Sequence, residues 1–404
     1  MARDNAHPRM VATDDDHRVT PAELFFDLVF VYALIQITAL LAEDPTPLRL
    51  LGGAVVIGLL WWCWCCFAWL GNVIRADTGA LLGVLLVVMS AVLIVSMTVS
   101  EVYADAEGGV DAPLVFVLCY GLLRTLHLIA YWIAHPNDPQ LRAVLRRTAL
   151  TSVAPPFALL LIGSAFSGAT QILIWLGALV LDYVAIYLVG GSGWRVTSPG
   201  HFAERHGLIL IIALGESITA IGVGVRGFPI TLEVLAGAVA ALLIAAGLWR
   251  LYFKRLSADA EERLTALDGD ERTLLASNVY TFLHLPLVAG VVLTALGVET
   301  ALHQVADTEH YDLSEPLHGV EGWSLAGGVG LFLLAAAAIR VRIGGRPPIV
   351  LIVSGVLALF AGLVVVLIPA LLALVLLAAA TAGVTALHGR STRSSEPKPQ
   401  ESAQ

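Results

Sequence analysis

Apolar residues run along this chain in stretches of about twenty, broken by short polar turns. A helix needs about 20 apolar residues to cross the hydrocarbon of a bilayer. Stretches of that kind fall at 20–42, 48–70, 79–102, 113–134, 147–167, 170–190, 203–224, 230–253, 274–298, 323–340, 347–368 and 370–388. The pattern predicts an all-α polytopic membrane protein with about twelve transmembrane helices. The last two stretches are separated only by Pro369, so a single kinked or re-entrant unit is the alternative to two crossings. The polar segments 1–19 and 389–404 read as disordered tails, and no long soluble domain interrupts the apolar runs.

Composition strengthens the class. Of 404 residues, 58% are apolar and only 14% charged, with a mean hydropathy of +0.82. A typical soluble domain is roughly 45–50% apolar and about 25% charged. The net charge of −9 offers no basic face, so no nucleic-acid partner is expected; the lipid bilayer is the expected surrounding. No charged n-region, short apolar run and A-x-A site open the chain, so no signal peptide is expected. Cys63, Cys65, Cys66 and Cys119 all sit inside apolar stretches and read as small hydrophobes in packed helices. A C-x-C-C metal or redox site lacks a histidine at ligand spacing, so no metal and no cofactor is expected.

The placement of arginine and lysine tests the map. Positive residues accumulate on cytoplasmic loops. With the N-terminus inside, 20 of the 23 lysines and arginines fall on inner segments and only Arg49 and Arg226 on outer loops; the remaining one, Arg124, lies inside a helix. Both termini are therefore expected in the cytoplasm, with residues 20–190 and 191–388 forming two six-helix halves.

Charged side chains at membrane depth are costly, and they pair or face a cavity. Asp27, Arg124, Asp182 and Glu216 lie deep, with Glu23 one turn shallower than Asp27. Glu23 and Asp27 stand at i, i+4 and project from one helix face, with Thr38 further along it. Tyr120, Arg124, His127 and Tyr131 form a polar stripe on an otherwise apolar helix. Arg205 and Glu216 share a face, about 16 Å apart along the axis at 1.5 Å per residue. One reading is a static ion pair of Arg124 with Asp27, Asp182 or Glu216. Another is an ion or solute site lined by Glu23, Asp27, Arg124, His127, Asp182, Arg205 and Glu216, because three deep acids outnumber one deep arginine. His127, His201, His206 and His284 look scattered, and no H-E-x-x-H, G-x-S-x-G or P-loop occurs, so no enzyme is expected. Trp61, Trp62, Trp64 and Trp69, and Trp249 with Tyr252, read as interfacial aromatic belts.

Two segments resemble the signatures of bacterial low temperature requirement A proteins. These are Val19-Thr-Pro-Ala-Glu-Leu-Phe-Phe-Asp-Leu-Val-Phe-Val-Tyr-Ala-Leu-Ile-Gln-Ile-Thr38 and Glu204-Arg-His-Gly-Leu-Ile-Leu-Ile-Ile-Ala-Leu-Gly-Glu-Ser-Ile218. Leu248-Trp-Arg-Leu-Tyr-Phe253 is similar to a third signature, although Lys254 stands where an acid commonly follows. The aromatic end Trp69-Leu-Gly-Asn-Val-Ile-Arg75 carries fewer acids than that family usually shows. The resemblance implies a multi-helix inner-membrane protein linked to growth at low temperature, without a set substrate. Glu23 to Thr38 and Glu204 to Thr219 each span fifteen positions, which suggests two parallel six-helix repeats. The function expected is movement of a proton, another cation or a small solute, with Asp27 or Glu216 as the protonation switch. The alternative is a non-transporting scaffold or sensor.

Overall fold

The computed structural model describes residues 18–75, 79–103, 108–135, 137–189 and 194–393. The expected tails at 1–17 and 394–404 lie outside them. The helices are α1 (Pro21–Glu43), α2 (Pro47–Val73), α3 (Gly79–Thr98), α4 (Ala112–Ala134), α5 (Pro139–Thr148), α6 (Ala154–Gly163), α7 (Gly168–Val189) and α8 (Pro199–Gly224). They continue with α9 (Leu232–Leu251), α10 (Ser257–Thr265), α11 (Gly269–Leu275), α12 (His284–Ala306), α13 (Gly319–Arg342), α14 (Ile349–Val365) and α15 (Ala370–Arg393). Among the described residues the fold is all-helical, and 9 helical stretches are long and apolar enough to cross a membrane. Of the other expected crossings, 79–102 and 347–368 hold the shorter apolar helices Leu82–Thr98 and Ile349–Val365, and 147–167 lies in the interrupted helix α5–α6.

The helices are turned inside out relative to a soluble bundle. On α1, Glu23, Asp27 and Thr38 are buried while Leu24, Phe25 and Leu28 are exposed. Hydrocarbon cannot solvate the carboxylates, so they turn inward and the apolar side chains face the tails. The apolar core of α2 is 83% buried, against 28% for α7, which puts α2 at the centre and α7 at the rim. The tryptophans of α2 therefore do not form an interfacial belt: Trp61, Trp62 and Trp64 are all core residues. Two of these buried indoles find internal acceptors, Trp61 at the Thr281 carbonyl (2.7 Å) and Trp64 at Asp27 (2.8 Å), and half-buried Trp69 donates to the Thr281 hydroxyl (3.0 Å). Tyr252 is buried as well, its hydroxyl 2.7 Å from His284 Nε2, and only Trp249 keeps the exposure a belt requires.

Among the described residues three π-helical turns interrupt the ladder, at Ala149–Val153, Tyr252–Leu256 and Ala276–Phe282. Proline explains the first. Pro155 and Pro156 have no N–H to give the carbonyls four residues back, Thr151 and Ser152, and their rings crowd that turn. The Ser152 carbonyl is thereby left for a side-chain donor. Pro286 follows the third turn, whose Thr281 carbonyl goes to Trp61.

The last third packs through glycine. A Cβ on Gly290 would stand 2.7 Å from the Gly328 carbonyl, and one on Gly328 would stand 2.5 Å from the Thr294 nitrogen. Such contact lets α12 and α13 approach backbone to backbone. The four residues after α14 do turn the chain, because Pro369 pairs with Pro316 and Ala370 N donates to Glu315 O at 3.3 Å. α14 and α15 are thus two helices meeting at the end of the bundle that holds the α12–α13 loop. The last of them runs to Arg393, past the start of the expected tail.

Candidate functional site

The seven residues singled out in the sequence occupy three places in the bundle. The first is where α1, α2 and α8 begin or end together. Thr20 caps α1 through a reciprocal box: Glu23 N donates to the Thr20 hydroxyl (3.3 Å), and Thr20 N donates to Glu23 Oε2 (3.0 Å). The other carboxylate oxygen of Glu23 accepts from Arg205 Nη1 at 2.9 Å and faces His201 Nε2 at 3.0 Å. Arg205 Nη2 reaches Asp27 Oδ1 at 2.6 Å, and Trp64 adds its indole N–H to the same oxygen. The i, i+4 carboxylates thus share one planar guanidinium, a geometry that suits arginine and not lysine. Glu23, Asp27, His201 and Arg205 are all within 1% of complete burial.

Asn72 and Gly71 of α2 complete this place. Asn72 receives Thr197 N (2.8 Å) and donates to Ser198 O (2.6 Å), which fixes the turn that starts α8. Its amide nitrogen also faces His201 Nδ1 at 3.4 Å, so Nε2 is the nitrogen that carries hydrogen to Glu23. A Cβ on Gly71 would lie 2.5 Å from Glu23 Oε1, so only glycine leaves room for the carboxylate. Sequence reading missed Trp64, Asn72 and His201 here, although Gly71-Asn72 stood inside the flagged segment at the end of α2.

The second place joins α4, α7 and the first π-turn. Arg124 grips Asp182 with both terminal nitrogens, Nη1 to Oδ2 at 2.7 Å and Nη2 to Oδ1 at 3.2 Å. Tyr120 donates to Asp182 Oδ2 at 3.1 Å, and the Ser152 hydroxyl donates to Oδ1. The carbonyl freed by Pro156 accepts from Arg124 Nη2 at 3.1 Å. Of the three partners left open for Arg124 in the sequence, Asp182 is the one it takes. His127 lies outside this network, stacked on Trp194 with ring centroids 5.9 Å apart.

Glu216 is the third place and stands apart. It is 2% exposed and close to Thr38 of α1, whose hydroxyl donates to the Leu34 carbonyl (3.3 Å), and the half-buried Glu299 of α12 is a like charge that acts on it. Its Oε2 has no partner among the described residues. The deep-charge count accordingly changes, because Arg205 is buried with Arg124 and together they answer Glu23, Asp27 and Asp182. Glu216 is the acid left over. Nor are the histidines all scattered: His206 and His284 meet at 5.3 Å between ring centroids, and His201 joins Glu23. Among the described residues, no three of His, Cys, Asp and Glu converge as metal ligands.

The comparisons bear on what this architecture is. The family model described as bacterial low temperature requirement A protein matches residues 18–386. The match takes in the last third, where no motif had been legible. An uncharacterized protein of Rhizobium meliloti (strain 1021) is 27% identical over 320 residues, 75% of this chain and 74% of its own length.

Proposed function

The chain belongs to the bacterial low temperature requirement A family, and from that premise we propose that it moves a proton, another cation or a small solute, with Glu216 as the titrating group. It is an integral, multi-pass membrane protein. The observation that carries the proposal is Glu216 itself. A bare carboxylate in a dry interior is too costly to keep. With no ion-pair partner among the described residues, Glu216 must take a proton, meet water or hold a cation. Asp27, the other candidate switch, is charge-paired with Arg205 and takes Trp64 on the same oxygen, although its Oδ2 has no partner among the described residues. No bond-making chemistry is part of the proposal.

The account includes an inner-membrane location, twelve crossings and cytoplasmic termini. Removing buried Arg205 from the loop count leaves nineteen positive residues inside against two outside, so the bias survives. The two-repeat organisation has support in α1 and α8, which lie parallel: Glu23 and Asp27 meet Arg205, and further on Thr38 meets Glu216. Reporter fusions at Gly108 and His310 are expected to read periplasmic, and fusions at Asn137, Asp268 and after His388 cytoplasmic. Cytoplasmic signals at both Gly108 and His310 would sink the orientation.

A scaffold or sensor is the competing reading, and the two closed arginine networks favour it. Proteoliposomes challenged with a pH step and a panel of monovalent cations and small solutes separate the readings. Transport predicts flux above protein-free vesicles for at least one of them. Silence across the whole panel would leave the scaffold.

A further inference from the structure

Beside the Arg124–Asp182 pair lies a cavity of about 80 Å³, whose lining includes Trp62, Arg124, His127 and Thr148 together with Trp194 and Thr273. At about 10–15 Å³ per water it holds several waters, or one ion of a few heavy atoms. Each of the first four residues is at least nine-tenths buried. Each also carries a polar atom without a partner: Trp62 Nε1, Arg124 Nε, His127 Nε2 and Thr148 Oγ1. Buried polar atoms are ordinarily hydrogen-bonded, and four orphans around one cavity need an explanation.

Their chemistry is one-sided. The indole N–H and the guanidinium Nε–H can only donate, while the hydroxyl and the imidazole can donate when asked. No carboxylate stands among the described residues that line the cavity. A metal or ammonium ion would find no carboxylate on this wall, whereas a group rich in acceptors would meet donors there. A second cavity of about 190 Å³ adjoins at Trp194, and His135, Asp138 and Arg195 stand in its wall. Tyr131 and Trp194 meet edge to face at 4.9 Å and both line this second cavity; His127, in the wall of the first, stacks on the Trp194 ring. Trp194 is thus a wall that the two cavities share.

We propose that this chamber is a binding site for a small monovalent anion of carboxylate or halide type, held by Trp62, Arg124, His127 and Thr148. The site is separate from Glu216 and stands whether or not Glu216 carries charge.

The test measures binding, not flux. Intact protein in lipid nanodiscs is titrated with sodium formate, sodium chloride, sodium gluconate and formamide at constant ionic strength, following heat of binding and unfolding temperature. Formate or chloride should bind saturably and raise the unfolding temperature, while gluconate, too large for the chamber, should not. Trp62→Phe and Thr148→Val each keep the shape and remove a donor, and each should weaken binding by about tenfold. Formamide binding as tightly as formate would overturn the anion in favour of a neutral guest. Absence of saturable binding by the unsubstituted protein, or binding undiminished in both variants, would overturn the site.

Discussion

Replacing Arg205 with leucine is expected to remove most of the folded protein. The substitution leaves Glu23 and Asp27 facing each other one helical turn apart, both buried, with no cation between them. Breaking a buried pair by removing one partner costs roughly 3–5 kcal/mol, and here one guanidinium serves two acids. Folded proteins hold only about 5–15 kcal/mol in total. Arg205→Lys keeps the charge but reaches both carboxylates poorly, and should fall between wild type and leucine. Thermal unfolding and monodispersity after extraction read the effect. An Arg205→Leu protein that melts with wild type would show that the cluster does not hold α1 to α8.

The second large effect belongs to Arg124 and Asp182. Either single change to leucine should destabilise by roughly 3–5 kcal/mol, since it strands a buried charge. The double change should recover much of that loss, because two apolar side chains replace a neutral pair. Ser152 makes the outcome specific: its hydroxyl and carbonyl serve this pair and no other charged side chain. A double variant as unstable as the sum of the singles would mean that Arg124 and Asp182 are not energetically coupled.

What the sequence showed, and what it hid, follows from how far each feature depends on tertiary packing. The apolar stretches were legible because crossing length is a local property, and among the described residues 9 helical stretches are long and apolar enough to cross. Glu23 and Asp27 were placed on one face by their spacing alone. The stripe of Tyr120, Arg124, His127 and Tyr131 was visible on α4, and all four side chains are buried. Arg205 was assigned to an inner loop because it sits near the start of its apolar run, yet α8 begins earlier, at Pro199, and carries it inside. The tryptophans of α2 carry the same sequence signal at a helix end whether they meet headgroups or a core. Only the central position of α2 decides between the two. Ser152 gave no sign of itself; Pro155-Pro156 was the available clue, since prolines inside an apolar helix free carbonyls for some other donor.

The most direct test of the account compares wild type and Glu216→Gln, each measured for thermal stability and for flux from the same preparation. Glutamine keeps the shape but neither titrates nor carries the charge that holds a cation. The account predicts a variant that folds with wild-type stability and loses the flux or its pH dependence. Flux and pH dependence both unchanged in a normally folded Glu216→Gln protein would contradict it.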